Sequence, residues 1–162
     1  MKLGIVGHAA EKFTPATQII AKDAIRVLVD SFTPTLIVSG RSPMGGVDLW
    51  AEDAAAEFKI PTLIHEPKVR LWGAPGGFKE RNLAIARDSD LVLCVVVEKL
   101  PPDFAGFVTK GCYHCGDRNP PHVKSGGCWT TWKAPRKAWA IVHDGYWSYV
   151  ERGRVTTKPK ES

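Results

Sequence analysis

Residues 90–98 read DLVLCVVVE. Seven apolar residues, Leu91 to Val97, run without a polar break, and four of them are valine. A strand with one wet face alternates apolar and polar residues, whereas a strand covered by helices on both faces does not. This stretch therefore predicts a central strand of a parallel sheet. Parallel neighbours require crossover connections, usually helices.

The flanking sequence supplies them. Residues 2–6 (KLGIV) form a short apolar strand that ends at Gly7. Residues 16–32 place Ile19, Ile20, Ala24, Val27 and Leu28 at helical spacing. Strands follow at 36–38 and 61–65, helices at 47–58 and 78–87. A further helix is predicted from about Trp129, limited by Pro135, and a last short strand at 140–142. Strands alternating with helices predict an α/β domain: a Rossmann-like three-layer sandwich with a mainly parallel sheet. The domain spans 1–150. It is interrupted by a Pro/Gly-rich insert at about 99–128 and followed by a polar C-terminal tail at 151–162.

The insert and its end carry Cys112, Cys115, His122 and Cys128, spaced C-x2-C-x6-H-x5-C. Three thiolates and an imidazole suit a tetrahedral zinc ion, and four protein ligands leave no open position, so the expected zinc is structural. A tight turn at Gly116 would bring two sulfurs to one ion. The insert is too poor in apolar residues to build its own core, so a metal would supply its order. A redox pair and plain reduced thiols are the alternatives, and His114 competes with His122 as the fourth ligand. Cys94 lies in the apolar strand and reads as inert core.

Glycine-rich loops fall at successive strand ends: Gly7, then Ser39, Gly40, Arg41, Gly45 and Gly46, then Ser125, Gly126 and Gly127 with Thr130. Backbone amides in such loops, backed by helix N-termini, bind phosphate or carboxylate. In an open parallel sheet these ends converge on one crevice. Arg41 and Arg81 are candidates to neutralise an anion there, and Asn82 to orient a ribose or base. His8 follows the first strand into the same crevice. Asp48 opens a helix, where it serves either the ligand or the helix dipole. No G-x-G-x-x-G and no Walker loop is present, which argues against an ordinary NAD enzyme or P-loop NTPase.

The chain has 162 residues and 22 basic against 17 acidic groups, net +5. That balance fits an anionic partner or an ordinary solvated surface. No apolar run is long enough to cross a bilayer, and MKLGIVG lacks a signal-peptide core. A cytoplasmic location and no membrane partner are expected. The tryptophans Trp129, Trp132, Trp139 and Trp147 read as packing residues, with base stacking as the alternative. His65 and His143 have no partner legible in the sequence.

Three segments together resemble the SLOG superfamily, Rossmann-like domains that include the LOG (lysine-decarboxylase-like) phosphoribohydrolases. They are KLGIVG, SGRSPMGGVDLWAEDAA and GGFKERNLAIARDSDLVLCVV. Ser125-Gly126-Gly127-Cys128-Trp129-Thr130 is similar to the family's phosphate loop. The resemblance covers roughly residues 1–142. It implies a nucleotide or nucleotide-derived ligand, and dimers or higher homo-oligomers.

Two features depart from the family pattern. The insert separates the strand from its phosphate loop. Arg81 matches the catalytic arginine of the LOG enzymes, but the positions of their glutamate hold Trp132 and Lys133. Glu11, Glu80 or Asp48 could replace that acid only if the fold brings one near Arg81. Ligand binding is therefore the expectation. N-glycosidic-bond hydrolysis is the first alternative, and a zinc-knuckle nucleic-acid module, with Lys110, Arg118 and Lys124 as its sparse cations, is the second.

Overall fold

A computed structural model of the chain describes residues 1–106, 112, 115 and 121–159. Leu91–Val97 forms β4, every residue of it buried. Its parallel neighbours are β1 (Lys2–Gly7) and β5 (Lys137–Val142). β2 (Leu36–Ser39) and β3 (Thr62–Ile64) lie beyond β1, again in parallel. β6 (Tyr146–Glu151) and β7 (Arg154–Pro159) continue from β5 as antiparallel strands. The sheet has seven strands in the order β3-β2-β1-β4-β5-β6-β7.

The helices are α1 (Pro15–Phe32), α2 (Val47–Glu57), α3 (Phe78–Asp88) and α4 (Gly126–Lys133). β4 shows why both faces of the sheet are covered. Leu91, Leu93, Val95 and Val97 pack with residues of α1 and α2. Val92, Cys94 and Val96 join Ile85 of α3 and Cys128 of α4 on the other side. Strand alternation divides one apolar run between two cores.

The β-α-β path moves outward from β1 to β3, then returns through α3 to place β4 beside β1. Crossovers thus leave the ends of β1 and β4 in opposite directions. In open α/β sheets this reversal leaves a crevice beyond the carboxyl ends of the strands.

The predicted strands and helices occur within a few residues of their expected bounds. The difference lies at the C-terminus. The strand at 140–142 is not the last: β6 follows it, and within the polar tail residues 154–159 pair with β6 as an edge strand. Arg154 to Thr157 are exposed, the apolar Val155 among them. An edge strand is held by backbone pairing on one side and needs no apolar alternation to mark it.

Gly7 closes β1 where no side chain fits. A Cβ there would lie 2.0 Å from the Val95 carbonyl oxygen and 2.9 Å from Val47. Gly126, by contrast, has room, its nearest neighbour being Asn82 Nδ2 at 3.9 Å. Gly7→Ala is therefore expected to lose about 1–3 kcal/mol of stability, read by urea denaturation, while Gly126→Ala stays within about 0.5 kcal/mol of the parent. Equal midpoints for the two variants would contradict this packing.

Candidate functional site

A cavity of about 230 Å³ occupies the crevice at the β1/β4 reversal. Gly7 and His8 line it from the end of β1 and Lys12 from the short 3-10 turn that follows. Ser42, Met44 and Asp48 come from the loop after β2 and the start of α2. Phe78, Arg81, Asn82 and Ile85 come from α3, and Ser125, Gly126, Gly127 and Thr130 from the start of α4. Trp72 reaches in from the loop before α3.

The polar centre of the cavity is Arg81 with Asp48. Their side chains are only 11% and 9% exposed, and Arg81 Nη1 lies 3.6 Å from Asp48 Oδ2. Arg81 Nη1 donates to the Gly40 carbonyl at 2.6 Å, and its Nε donates to Asn82 Oδ1 at 2.7 Å. The Ser42 amide donates to Asp48 Oδ2 at 3.0 Å. Burial pushes the Asp48 carboxyl up to about 6, against the downward pull of Arg81 and the Ser42 amide. Burial also lowers the Arg81 guanidinium, which stays charged because its unperturbed pKa is so high. The result is a fixed cation beside an acid that titrates close to neutrality.

His8 plays a different part. Its Nδ1 accepts the Val97 amide at 3.1 Å, so its Nε2 carries the proton and faces the Lys124 carbonyl at 3.3 Å. Burial lowers its pKa to about 4. The ring is neutral and ties β1 to the end of β4 and to the segment leading into α4. Lys12, half-buried nearby, is lowered by the same desolvation.

The first turn of α4 presents amides to the cavity. Ser125 at its N-cap makes no side-chain cap hydrogen bond; its hydroxyl sits 3.7 Å from Cys128 Sγ instead. Gly126 and Gly127 thus begin a helix, with its partial positive charge, at the cavity wall.

Cys112, Cys115, His122 and Cys128 come together beside α4, with Cys128 fully buried in the same apolar cluster as Val92, Cys94 and Val96 of β4. Their ligand atoms all lie within 4.8 Å of one another, and the group could hold a metal ion. A tetrahedral shell with bonds of about 2.0–2.3 Å sets its donors about 3.3–3.8 Å apart, so the cluster stands close to ligating geometry. Hydrogen bonds from Cys112 and Cys115 draw Cys128 well below an ordinary thiol. Cys115 is pushed the other way by the same contacts. Trp139 Nε1 donates to Cys115 Sγ at 3.1 Å, bracing the cluster against β5. Cys94 lies beneath, fully buried, and burial raises its thiol. His114, Gly111, Gly116, Lys110 and Arg118 fall outside the described residues.

The remaining sequence candidates stand as supports. Arg41 turns away to Glu52, with Nη2 at 2.8 Å from Oε1. Ser39 is buried and donates to the Asp48 carbonyl at 3.2 Å. Gly40 gives way to Arg81, whose Nη1 would stand 2.4 Å from a Cβ there. Gly45 and Gly46 turn the loop at positive φ, Gly46 pressing on the His8 carbonyl. Of the candidate acids only Asp48 meets Arg81: Glu80 accepts the Gly76 amide at 2.6 Å, and Glu11 lies outside the cavity.

Partners appear for the other histidines: His65 binds Asp88 at 2.8 Å, and His143 binds Glu98 and Ser148. Trp139 and Trp147 are buried, as packing residues should be, while Trp132 is exposed. Sequence reasoning missed Lys12, Ser42, Met44 and Trp72 in the cavity wall. Lys12 had one usable signal, a cation five residues beyond a strand-ending glycine. No family model matches the chain, and neither a curated protein nor a solved structure does.

Asp48 and His8, both buried in the cavity wall, act on stability with opposite sign. Asp48 keeps its proton from its ordinary 3.8 up to about 6 in the folded chain, so its contribution is full at low pH and is lost as pH rises through 6. His8 is lowered from 6.5 to about 4, so its contribution is full above 6.5 and is lost as pH falls. Asp48→Asn removes only the first. The stability of the parent relative to Asp48→Asn is expected to fall as pH rises through about 6, read by urea denaturation across the range. A pH-independent difference would contradict the burial of the carboxyl.

Proposed function

We propose that the chain is a Rossmann-like, SLOG-type domain that binds a nucleotide or nucleotide-derived small molecule, with α4 braced by a structural zinc ion. The observation that carries the reading is one cavity, at the β1/β4 reversal, that joins a glycine-opened helix N-terminus to Lys12 and the Arg81–Asp48–Asn82 group. Amides and cations suit a phosphate. A carboxylate and an amide side chain suit ribose hydroxyls.

The strand order supports the Rossmann-like assignment, since dinucleotide- and mononucleotide-binding sheets share this switch point. The donor set supports zinc. Three sulfurs with one imidazole favour a soft or borderline ion, and four protein ligands leave no coordination position for chemistry.

A nucleotide panel tested by calorimetry checks the first part. A nucleoside monophosphate should bind, and Arg81→Ala should weaken it at least tenfold; a blank across the panel would overturn the reading. For the second, protein purified without chelator should carry zinc by elemental analysis. Cys128→Ser and chelation should each lower the melting temperature, and a metal-free preparation with unchanged melting would overturn it.

Asp48 favours a second reading, cleavage of the N-glycosidic bond. It supplies an acid beside Arg81 where Trp132 and Lys133 supply none. In that reaction Asp48 takes a proton from the attacking water and passes it to solvent, the water oxygen bonds to the anomeric carbon as the carbon–base bond breaks, and the base departs with the bonding pair and takes up a proton from solvent. Release of free base from AMP, abolished in Asp48→Asn with AMP binding retained, would support it. Binding without release would leave the domain a receptor.

A further inference from the structure

Trp72 stands at the cavity in a manner that packing does not explain. Its side chain lines the cavity yet remains 45% exposed. Only Met44, 57% exposed, shares both properties among the large apolar residues of the wall. Leaving an indole in water forgoes a large hydrophobic gain, so the arrangement calls for an occupant.

The loop that carries Trp72 is fixed rather than loose. Lys68 N–H donates to the Gly76 carbonyl at 2.8 Å and Gly77 N–H to Ala74 at 2.9 Å. Phe78 N–H donates to Leu71 at 2.9 Å and Lys79 N–H to Trp72 itself at 3.0 Å, which seats the loop on the first turn of α3. The indole rests edge-to-face on Trp129 of α4, ring centres 5.0 Å apart. Both sides of the ring's support are thus set before any ligand arrives, which lowers the ordering cost of binding.

The dimensions say what part of a ligand meets it. At about 230 Å³ the cavity is below the roughly 300–1,000 Å³ of sites that enclose drug-sized molecules. A sugar phosphate fits within it. A larger ligand must extend through the mouth, where Met44 and Trp72 stand. The side chains of Arg81, Asp48 and Asn82 are almost wholly enclosed, whereas Met44 and Trp72 are open to solvent.

We infer that Trp72 is the ligand-selecting residue of this cavity, stacking on a planar heteroaromatic ring attached to the anionic sugar held inside. The inference rests on the nucleotide reading above and adds to it: the site selects nucleoside phosphates over sugar phosphates through one exposed indole. The exposed thioether of Met44 in the same wall suits the same partner. Stacking on an aromatic side chain is tolerant of base identity, so the selection is for the presence of a base more than for its kind.

The test compares AMP with ribose 5-phosphate by calorimetry on the parent, Trp72→Ala and Trp72→Phe. The parent should prefer AMP about tenfold or more. Trp72→Ala should bring the two affinities within about twofold by weakening AMP alone, and Trp72→Phe should restore most of the preference. AMP should also quench tryptophan fluorescence in the parent and do so less in Trp72→Phe. An unchanged preference in Trp72→Ala would overturn the role of Trp72 and leave nucleotide binding intact. Ribose 5-phosphate binding with no preference for AMP in the parent would do the same. Binding of neither compound to the parent would overturn the nucleotide reading itself and this inference with it.

Discussion

The first turn of α4 lies so close to the end of β1 that a methyl group at Gly127 would come within 2.8 Å of the Gly7 nitrogen. Two glycines make that approach sterically allowed, and the rest of the crevice is arranged around it. On its inner side the turn offers Gly126, Gly127 and Thr130 to the cavity. Between those residues Cys128, fully buried, stands with Cys112, Cys115 and His122. The metal-competent cluster and the cavity therefore share one short helix. An eight-residue helix is too short to be stable by its own backbone bonds, so its position must come from what holds its ends and sides.

Three kinds of restraint supply that position. Val123 N–H donates to the Val97 carbonyl at 2.9 Å, tying the segment that leads into α4 to the end of β4. His8, buried and neutral, ties the Lys124 carbonyl to the same strand end. The four-residue cluster then holds the helix through Cys128. Across the cavity Arg81 and Asp48 provide the only buried ion pair among the described residues at the site. The separation of 3.6 Å and the raised carboxyl show that Asp48 is not neutralised by a tight bidentate salt bridge. Arg81 spends its hydrogen bonds on Gly40 and Asn82. It keeps its charge near the cavity without surrendering it to the acid, which is what an anion-binding site needs.

Much of this was legible in the sequence, and the boundary is physical. DLVLCVVVE identified the central strand because a doubly covered strand has no polar face to interrupt it. The C-x2-C-x6-H-x5-C spacing identified the cluster because ligand chemistry restricts residue type. Proximities made by crossovers were not legible. Nothing local relates Asp48 to Arg81, and only the return of the chain through α3 sets them side by side. Arg41 was misplaced for the same reason. It sits in the right loop, but at φ 43 its side chain is carried outward to Glu52. Trp72 was missed because an exposed tryptophan in a Gly/Pro loop has no pattern of its own. β7 was missed because an edge strand leaves no alternation to read.

Hydrogen exchange of the α4 amides, followed by mass spectrometry with and without a zinc chelator, tests most directly whether the thiolate cluster positions this helix. Metal removal is expected to expose residues 121–133 to exchange while β1, β2 and β4 keep their protection. Unchanged protection of α4 after verified metal loss would contradict it, because the helix would then be held without the ion.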